Sequence, residues 1–385
     1  TRVMTTLTTT RAVSLAAVIA FSAVGAANGQ FYFVGHAPNT TASFVYGLSA
    51  DGTIATGFSR DGLSSAEPGF IWASNGYRSD FGQLAGMGII TDSVGITGDG
   101  QAVAGTYYED LNSSARPFTY SASAGLRVLG TVSGLRNSYG TGIGGDSTHP
   151  VVVGTASDRQ FAIRTAWRWT EGNGMQNLGL VNANDFYSEA SAVSRNGSTV
   201  VGFGGDGSVC RAFTWSEENG MHSLASLNGS TFQRAYAVNS IGTIVVGYSD
   251  VSSTVSHASM WRDGLPIDLG NPVGSSRATA RAVSDDGRVV VGDAWGDAQG
   301  VGQYAFIWTA EEGSMSLDAY AALHSLLTPP GWHFTYASSL SADGKTIGGT
   351  GVFPDGTGGG FVLHVPAAPT LSLLGFAAMF LRRAR

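Results

Sequence analysis

Apolar and polar positions alternate along this chain in one short pattern that keeps returning. In "ARAVSDDGRVVVG", residues 280–292, a strand-like run meets Asp-Gly, and a second, richer apolar run ends in Gly. Relatives of it begin at Val45 ("VYGLSADGTIATG"), Ser93 ("SVGITGDGQAVAG"), Ala190 ("ASAVSRNGSTVVG"), Ala235 ("AYAVNSIGTIVVG") and Ala337 ("ASSLSADGKTIGG"). The turn glycines Gly52, Gly100, Gly197, Gly242, Gly287 and Gly344 are each followed five residues later by another Gly. A second landmark is an aromatic run ending at Trp72, Tyr120, Trp169, Trp215, Trp261 and Trp308, with separations of 48, 49, 46, 46 and 47 residues. A third closes the unit: "GLRVLG" from Gly125, "GMQNLG" from Gly174, "GMHSLA" from Gly220 and "GLPIDLG" from Gly264. The stretch 140–154 is an irregular member with a longer turn, His149 taking the place of the usual Gly.

A fixed period of this length holds four short strands, which is one blade of a β-propeller. Asp-Gly and Asn-Gly permit positive φ at both turn centres, so each is expected to close a tight hairpin. "VVVG" reads as a strand buried on both faces. The aromatic runs supply rings to pack between neighbouring sheets. One blade cannot bury both faces alone, and stacking around an axis does so while leaving only short edges. The last unit, from Tyr336, lacks a fourth strand, and "QFYFVG" (Gln30 to Gly35) has no partners of its own. The fold class expected is therefore all-β: a seven-bladed β-propeller of four-stranded blades, its ring closed by the mature N-terminal strand. Six or eight blades are the alternatives if the irregular third unit or the last one is miscounted. Between units six and seven, Leu317, Tyr320, Leu323 and Leu327 recur at helical spacing until Pro329-Pro330, predicting a short amphipathic helix on the ring.

The two ends read as addresses. Residues 1–29 carry Arg2 and Arg11, the apolar run Ala12 to Ala27, and small residues at its end, the pattern of a secretory signal peptide. Residues 30–366 hold the repeats, and 367–385 form a C-terminal sorting or anchor segment. The tail has Pro366 and Pro369, an apolar stretch from Leu371 to Leu381, then Arg382 and Arg383 in "RRAR". It resembles the PEP-CTERM sorting signal of Gram-negative bacteria, read by membrane proteases of the exosortase type, although the usual central Glu is absent. The repeat resembles the HAF-type extracellular repeat, whose pattern "AFxW…GMxxLG" then "AxxVSxDGxVVVG" stands clearly at Ala212 to Leu224 and Ala280 to Gly292. The first resemblance covers about 20 residues and the second nearly all of 30–366. Together they imply a secreted or cell-surface protein of the outer envelope of a Gram-negative-type bacterium. They imply exosortase-type sorting with transient membrane contact through the tail, and an association with exopolysaccharide or envelope proteins.

Composition narrows the chemistry. The chain of 385 residues has 55 Gly, 13% charged residues and a net charge of −7, with Lys345 its single lysine. Abundant Gly with low charge suits many turns, and 43% apolar residues exclude a disordered chain. No basic footprint for nucleic acid exists. Cys210 is the one cysteine, so no intrachain disulfide forms, and we read it as a small buried apolar residue. None of the seven histidines (His36, His149, His222, His257, His324, His333, His364) pairs at metal-ligand spacing. There is no nucleophile elbow, phosphate loop or dinucleotide unit. The Gly-rich stretches 98–105 and 353–361 read as a hairpin turn and a flexible loop. Asp51, Asp99, Asp286 and Asp343 suggest calcium or a sialidase-like Asp-box, but each turn offers only one or two carboxylates and lacks the Asp-box spacer. Turn chemistry is the better reading.

Trp169, Trp215, Trp261 and Trp308 recur at one blade position and read as inter-blade packing. Trp295 and Trp332 lie outside it and are the candidates for an exposed ligand contact. No catalytic, cofactor or metal residue is expected. The first functional reading is a binding or scaffold module without catalysis. The second is a propeller hydrolase or lyase acting on surface glycans, and a third is a self-assembling surface layer.

Overall fold

The structure is a computed structural model and describes residues 29–60, 68–80, 89–108, 114–296 and 302–365. The signal-like leader 1–28, Pro366, Pro369, Arg382 and Arg383 lie outside the described residues. Nearly every described element is a strand, and the strands fall into antiparallel sets of four. The first set is Ala42–Leu48, Ile54–Arg60, Gly69–Ala73 and Arg78–Asp80. The second runs from Ile89–Ile96 through Ala102–Tyr108 and Arg116–Ser121 to Gly125–Val128. The third comprises Asn137–Gly145, Pro150–Ser157, Arg164–Thr170 and Gly174–Gly179, so the irregular unit keeps its hairpin and only the tip is longer. The fourth is Tyr187–Val193, Thr199–Gly205, Cys210–Ser216 and Gly220–Ser223. The fifth is Gln233–Val238, Ile244–Asp250, Ser256–Arg262 and Leu265–Gly270. The sixth is Arg277–Val283, Val289–Trp295, Gln303–Thr309 and Gly313–Ser316. In the last set His333–Leu340, Thr346–Val352 and Gly358–His364 are joined by Gln30–Phe33, Gln30 lying opposite His364. Single parallel bridges, Arg164 to Tyr187 and Ser256 to Arg277, join the third set to the fourth and the fifth to the sixth.

Each set packs on the next through an apolar layer. Ala102 and Ala104 of the second set meet Val152, Trp167 and Trp169 of the third. Val362 of the last set meets Val45, Phe70 and Trp72 of the first. The repeated aromatics fill these layers: Trp169, Trp215 and Trp261 are buried and Trp308 is half-buried.

The hairpin turns are built differently from the two-residue type that the sequence suggested. Gly52 N donates to Ser49 O at 3.0 Å, and Gly287 N to Ser284 O at 3.0 Å. Only the Gly takes positive φ, +70° at Gly52 and +69° at Gly287, while the preceding Asp does not. The carboxylate does another job. Asp286 Oδ1 accepts from Ser284 Oγ at 2.7 Å and from Arg288 N at 2.9 Å, and Ser284 Oγ accepts from Val289 N at 3.0 Å. The same lock recurs at Ser49/Asp51, Thr97/Asp99 and Ser341/Asp343, and at Ser194/Asn196 with an amide oxygen. The repeated Asp is thus a turn residue, as its spacing indicated.

The insertion forms a helix over Leu317–Leu323, capped by Ser316 Oγ accepting from Ala319 N at 3.1 Å. Leu317 and Tyr320 are buried, as their spacing predicts. Leu323 is exposed instead, because six residues after Leu317 it lies on another side of the helix, and Leu327 is exposed because the helix ends at His324 and the chain turns Leu326 inward.

Candidate functional site: the channel and its mouth

The inner strand of each set carries a β-bulge at one repeat position, between Val45 and Gly47, Ala235 and Ala237, or Ala280 and Ala282, for example. The second landmark glycine makes the bulge possible. A Cβ on Gly57 would sit 1.8 Å from Phe44 O, and one on Gly247 1.8 Å from Arg234 O. The bulged strand therefore sinks its carbonyl into space that only Gly leaves free. A bulge re-aims the residue it adds. Tyr46, Val94, Thr141, Ser191, Tyr236, Arg281 and Ser338, one from each set, all line a single cavity of about 470 Å³ between the inner strands.

The two ends of this channel differ. At the turn end, hydrogen bonds run from set to set. Ala50 N donates to Gly98 O (2.9 Å), Ser147 N to Asp99 Oδ2 (3.0 Å) and Gly145 N to Arg195 O (2.8 Å). Asn196 N donates to Ser240 O (3.0 Å), Ser240 N to Asp285 Oδ1 (3.0 Å), Asp285 N to Ala342 O (2.9 Å) and Ala342 N back to Ala50 O (2.8 Å). Arg195 reaches from the fourth set to Leu340 O at 3.3 Å. Burial works against its charge, and Asp285 and Asp51 oppose that effect.

The other end is walled by aromatic rings and guanidinium groups. Arg281 lies over Tyr236 (4.3 Å) and Tyr336 (5.4 Å), and its Nε donates to Asp293 Oδ1 at 2.8 Å. Arg234 lies over Phe203 (4.3 Å) and Phe232 (5.4 Å). Tyr236 stacks on Tyr248, and Tyr46 on Phe58. Arg164 holds Glu189 at 2.5 Å while covering Tyr187. Burial pushes the phenols of Tyr248 and Tyr336 well above the ordinary tyrosine range, against the pull of Arg234 and Arg281 respectively. Burial also opposes the charge on Arg281, and the Asp293 carboxylate favours it. Cys210 is buried beside Tyr187, and burial raises its thiol.

A second cavity of about 730 Å³ adjoins this mouth between the fifth and sixth sets, lined by Tyr248, Arg277, Arg281, Asp293 and Trp295. Trp295 is 47% exposed, with Nε1 donating to Asp293 Oδ2 at 3.1 Å. Trp332 corrects the expectation of an exposed contact. It is 4% exposed and packs against Phe31 (5.2 Å) and Phe353 (5.0 Å). Residues that sequence reasoning passed over are Tyr46, Arg234, Tyr236, Arg281 and Tyr336. Their signal was present: they occupy inner-strand positions where the repeat keeps its frame and changes its side chain.

No family model matches the chain, and no curated protein matches it. Solved structures do. An oligogalacturonate lyase in complex with manganese matches at 13% identity and TM-score 0.54, covering 88% of this chain and 93% of that one. The β-propeller domain of the Trilobed protease from Pyrococcus furiosus matches at 10% identity and TM-score 0.47, covering 70% and 82%. TolB from Acinetobacter baumannii matches at 16% identity and TM-score 0.40, covering 60% of this chain, which spans 55% of TolB. The first of these likenesses bears on the fold alone, and the other two are too distant to support an argument. The chain is all-β, with β-propeller proteins among its structural neighbours.

Proposed function

We propose that this chain is a secreted or cell-surface β-propeller of seven blades that binds extracellular polysaccharide or envelope proteins as a scaffold, without catalysis. Each four-strand set is one blade, and Gln30–Phe33 completes the last. In this reading the repeats are of the HAF type, and the tail is a PEP-CTERM-like signal for exosortase-type sorting that touches the membrane transiently. The outer envelope of a Gram-negative-type bacterium is the setting.

The observation that carries the binding reading is the composition of the channel mouth. It offers rings and guanidinium groups; Glu189 is engaged by Arg164 and Asp293 by Arg281, and Asp250 in the adjoining groove accepts from Ser256 Oγ. A general base has to exchange a proton near the working pH. Tyr248 and Tyr336 are pushed away from that range, so the mouth is better suited to holding a ligand than to moving a proton. The second reading, a hydrolase or lyase acting on surface glycans, draws on the convergence of Arg281, Tyr236 and Tyr336 in one channel.

Residues 30–366 and the source organism's own extracellular polysaccharide separate the two readings. The protein and polymer are co-sedimented, and the polymer is then chromatographed. Binding with unchanged chain length is the expected outcome. Shortened products overturn the scaffold reading in favour of the enzyme, and neither binding nor cleavage turns the search to envelope proteins.

A further inference from the structure

The channel mouth contains a half-buried cation that no carboxylate meets among the described residues. Arg281 is paired with Asp293, Arg164 with Glu189 and Arg211 with Asp185. Arg234 forms no ion pair among the described residues, and its Nε is buried without a hydrogen-bond partner. Its surroundings are the faces of Phe203 and Phe232, the Cys210 thiol, and the phenols of Tyr248 and of Tyr236, to which its side chain hydrogen-bonds. A half-buried charge is costly unless an opposite charge meets it. Arg195, at the turn end, likewise has a buried nitrogen without a hydrogen-bond partner, but the carboxylates Asp285 and Asp51 act in favour of its charge, whereas the groups acting on Arg234 are phenols and a thiol.

We propose that Arg234 anchors a carboxylate-binding subsite, and that the groove running from it past Tyr248 to Trp295 holds a chain of acidic sugar residues. This deepens the polysaccharide reading above and rests on it. Arg281 lines both the channel and the groove, which makes the two cavities neighbours along one path. Arg234 stands opposite Tyr248 on the paired strand, and Tyr248 lines the groove. At the far side Trp295 presents its ring to solvent, its orientation fixed by the bond from Nε1 to Asp293. A planar guanidinium matches a carboxylate through two parallel hydrogen bonds. An exposed indole fixed in place is a platform for the apolar face of a sugar ring. Hydroxyls at Ser253, Thr254 and Ser276 along the groove suit sugar hydroxyls better than an apolar ligand. A carboxylated saccharide is the one ligand class that uses all three features.

The test is titration calorimetry on the full chain with a galacturonic acid trimer, its methyl ester and polyglutamate, for wild type, Arg234→Gln and Trp295→Ala. The acid trimer should bind, and the ester about tenfold or more weaker, because it lacks the charge that Arg234 would meet. Arg234→Gln should weaken the acid form by a similar factor and leave the ester unchanged. Trp295→Ala should weaken acid and ester alike, and it keeps the test decisive if Arg234→Gln melts early. Equal binding of acid and ester, no binding of the trimer, or full affinity in Arg234→Gln overturns the subsite. Polyglutamate binding as tightly as the trimer overturns the saccharide assignment. The same proteins are co-sedimented with the native polysaccharide. If wild type and Arg234→Gln sediment alike, the scaffold reading survives and the subsite fails. If the trimer binds while the native polymer does not, the subsite stands and the partner assignment fails.

Discussion

Replacing Gly247 by Ala probes the link between the repeat and the site most directly. The added Cβ would lie 1.8 Å from Arg234 O, 2.8 Å from Arg234 C and 3.0 Å from Ala235 Cα. A carbon–oxygen contact settles near ~3.3 Å, so the carbonyl must retreat by about 1.5 Å. All three obstructing atoms are backbone, and the strand is hydrogen-bonded on both sides, to Gln233–Val238 and to Ser256–Arg262. No side-chain rotation relieves the clash, so the bulge has to open or the register has to give. Overpacking a tight interior costs ~1–3 kcal/mol, and backbone obstruction places this change at ~3–5 kcal/mol. For a chain of this length that corresponds to a fall in Tm of roughly 4–8 °C by calorimetry. Gly172→Ala is the control, since nothing lies within 4 Å of its Cβ and its φ is ordinary, and it should stay within about 1 °C of wild type. Near-ultraviolet circular dichroism should also change for Gly247→Ala, because Tyr236 and Tyr248 stack at 6.1 Å on either side of the bulge. A Tm for Gly247→Ala no lower than that of the control refutes the idea that the second landmark glycine exists to admit the bulge.

Three further outcomes are expected. Ser284→Ala removes a donor to Asp286 and the acceptor for Val289 N, and should cost about 1–3 kcal/mol, read from denaturant midpoints. Burial raises the carboxyls of Asp51, Asp99, Asp286 and Asp343, but hydrogen bonds outweigh it and leave all four below the usual range. Their stabilisation is complete above the unfolded Asp value of ~3.9 and is lost as pH falls through the lowered folded values, so Tm should drop steeply below about pH 4. A variant with Asn at positions 51, 286 and 343 should stay near the wild-type Tm at pH 7, as Asn196 fills the same role natively, and lose less at pH 3, Asp99 being kept because its second oxygen accepts from Ser147 N; an unchanged acid slope would count against the lock. Phe31→Ala should cost about 2 kcal/mol and speed proteolysis of the N-terminal strand, because the ring stacks on Phe361 and meets Trp332 edge-on.

The parts of the fold legible in the sequence are those set by local backbone chemistry. Gly at the turns, the apolar second strand and the aromatic third strand each announce themselves within a dozen residues. What the sequence obscured depends on distant partners or on where an element stops. Trp332 looks like a loop aromatic because its neighbours Phe31 and Phe361 lie far away along the chain, yet they enclose it. Leu323 and Leu327 continue the spacing that Leu317 begins, but the first lies on another side of the helix and the helix ends before the second. The turn type was misread because Asp-Gly suits two geometries. A serine two residues earlier, donating to the Asp, selects the one in which only Gly needs positive φ. The site was missed for a different reason: a repeat directs attention to what stays the same.

The chemistry of the channel lies in what changes. The bulge needs Gly on the adjoining strand and leaves the side chain it turns inward unconstrained. The inward positions accordingly carry Tyr46, Val94, Thr141, Ser191, Tyr236, Arg281 and Ser338, with no common size or charge. Small side chains stand in the second to fourth sets and, as Ser338, in the last; the large polar ones stand in the fifth, sixth and first. Arg234 and Arg281 come from adjacent sets and meet around Tyr236, while Arg164 and Arg195 stand in the third and fourth sets. A repeated frame would by itself produce a channel alike on every side. Tyr236, Arg281 and Tyr336 stand together on one flank, and that flank opens into the groove holding Trp295. A ligand held there would contact two neighbouring sets at once. Its binding would depend on how closely the fifth and sixth sets pack, tying affinity at the mouth to the Val246, Met260 and Val290 layer between them.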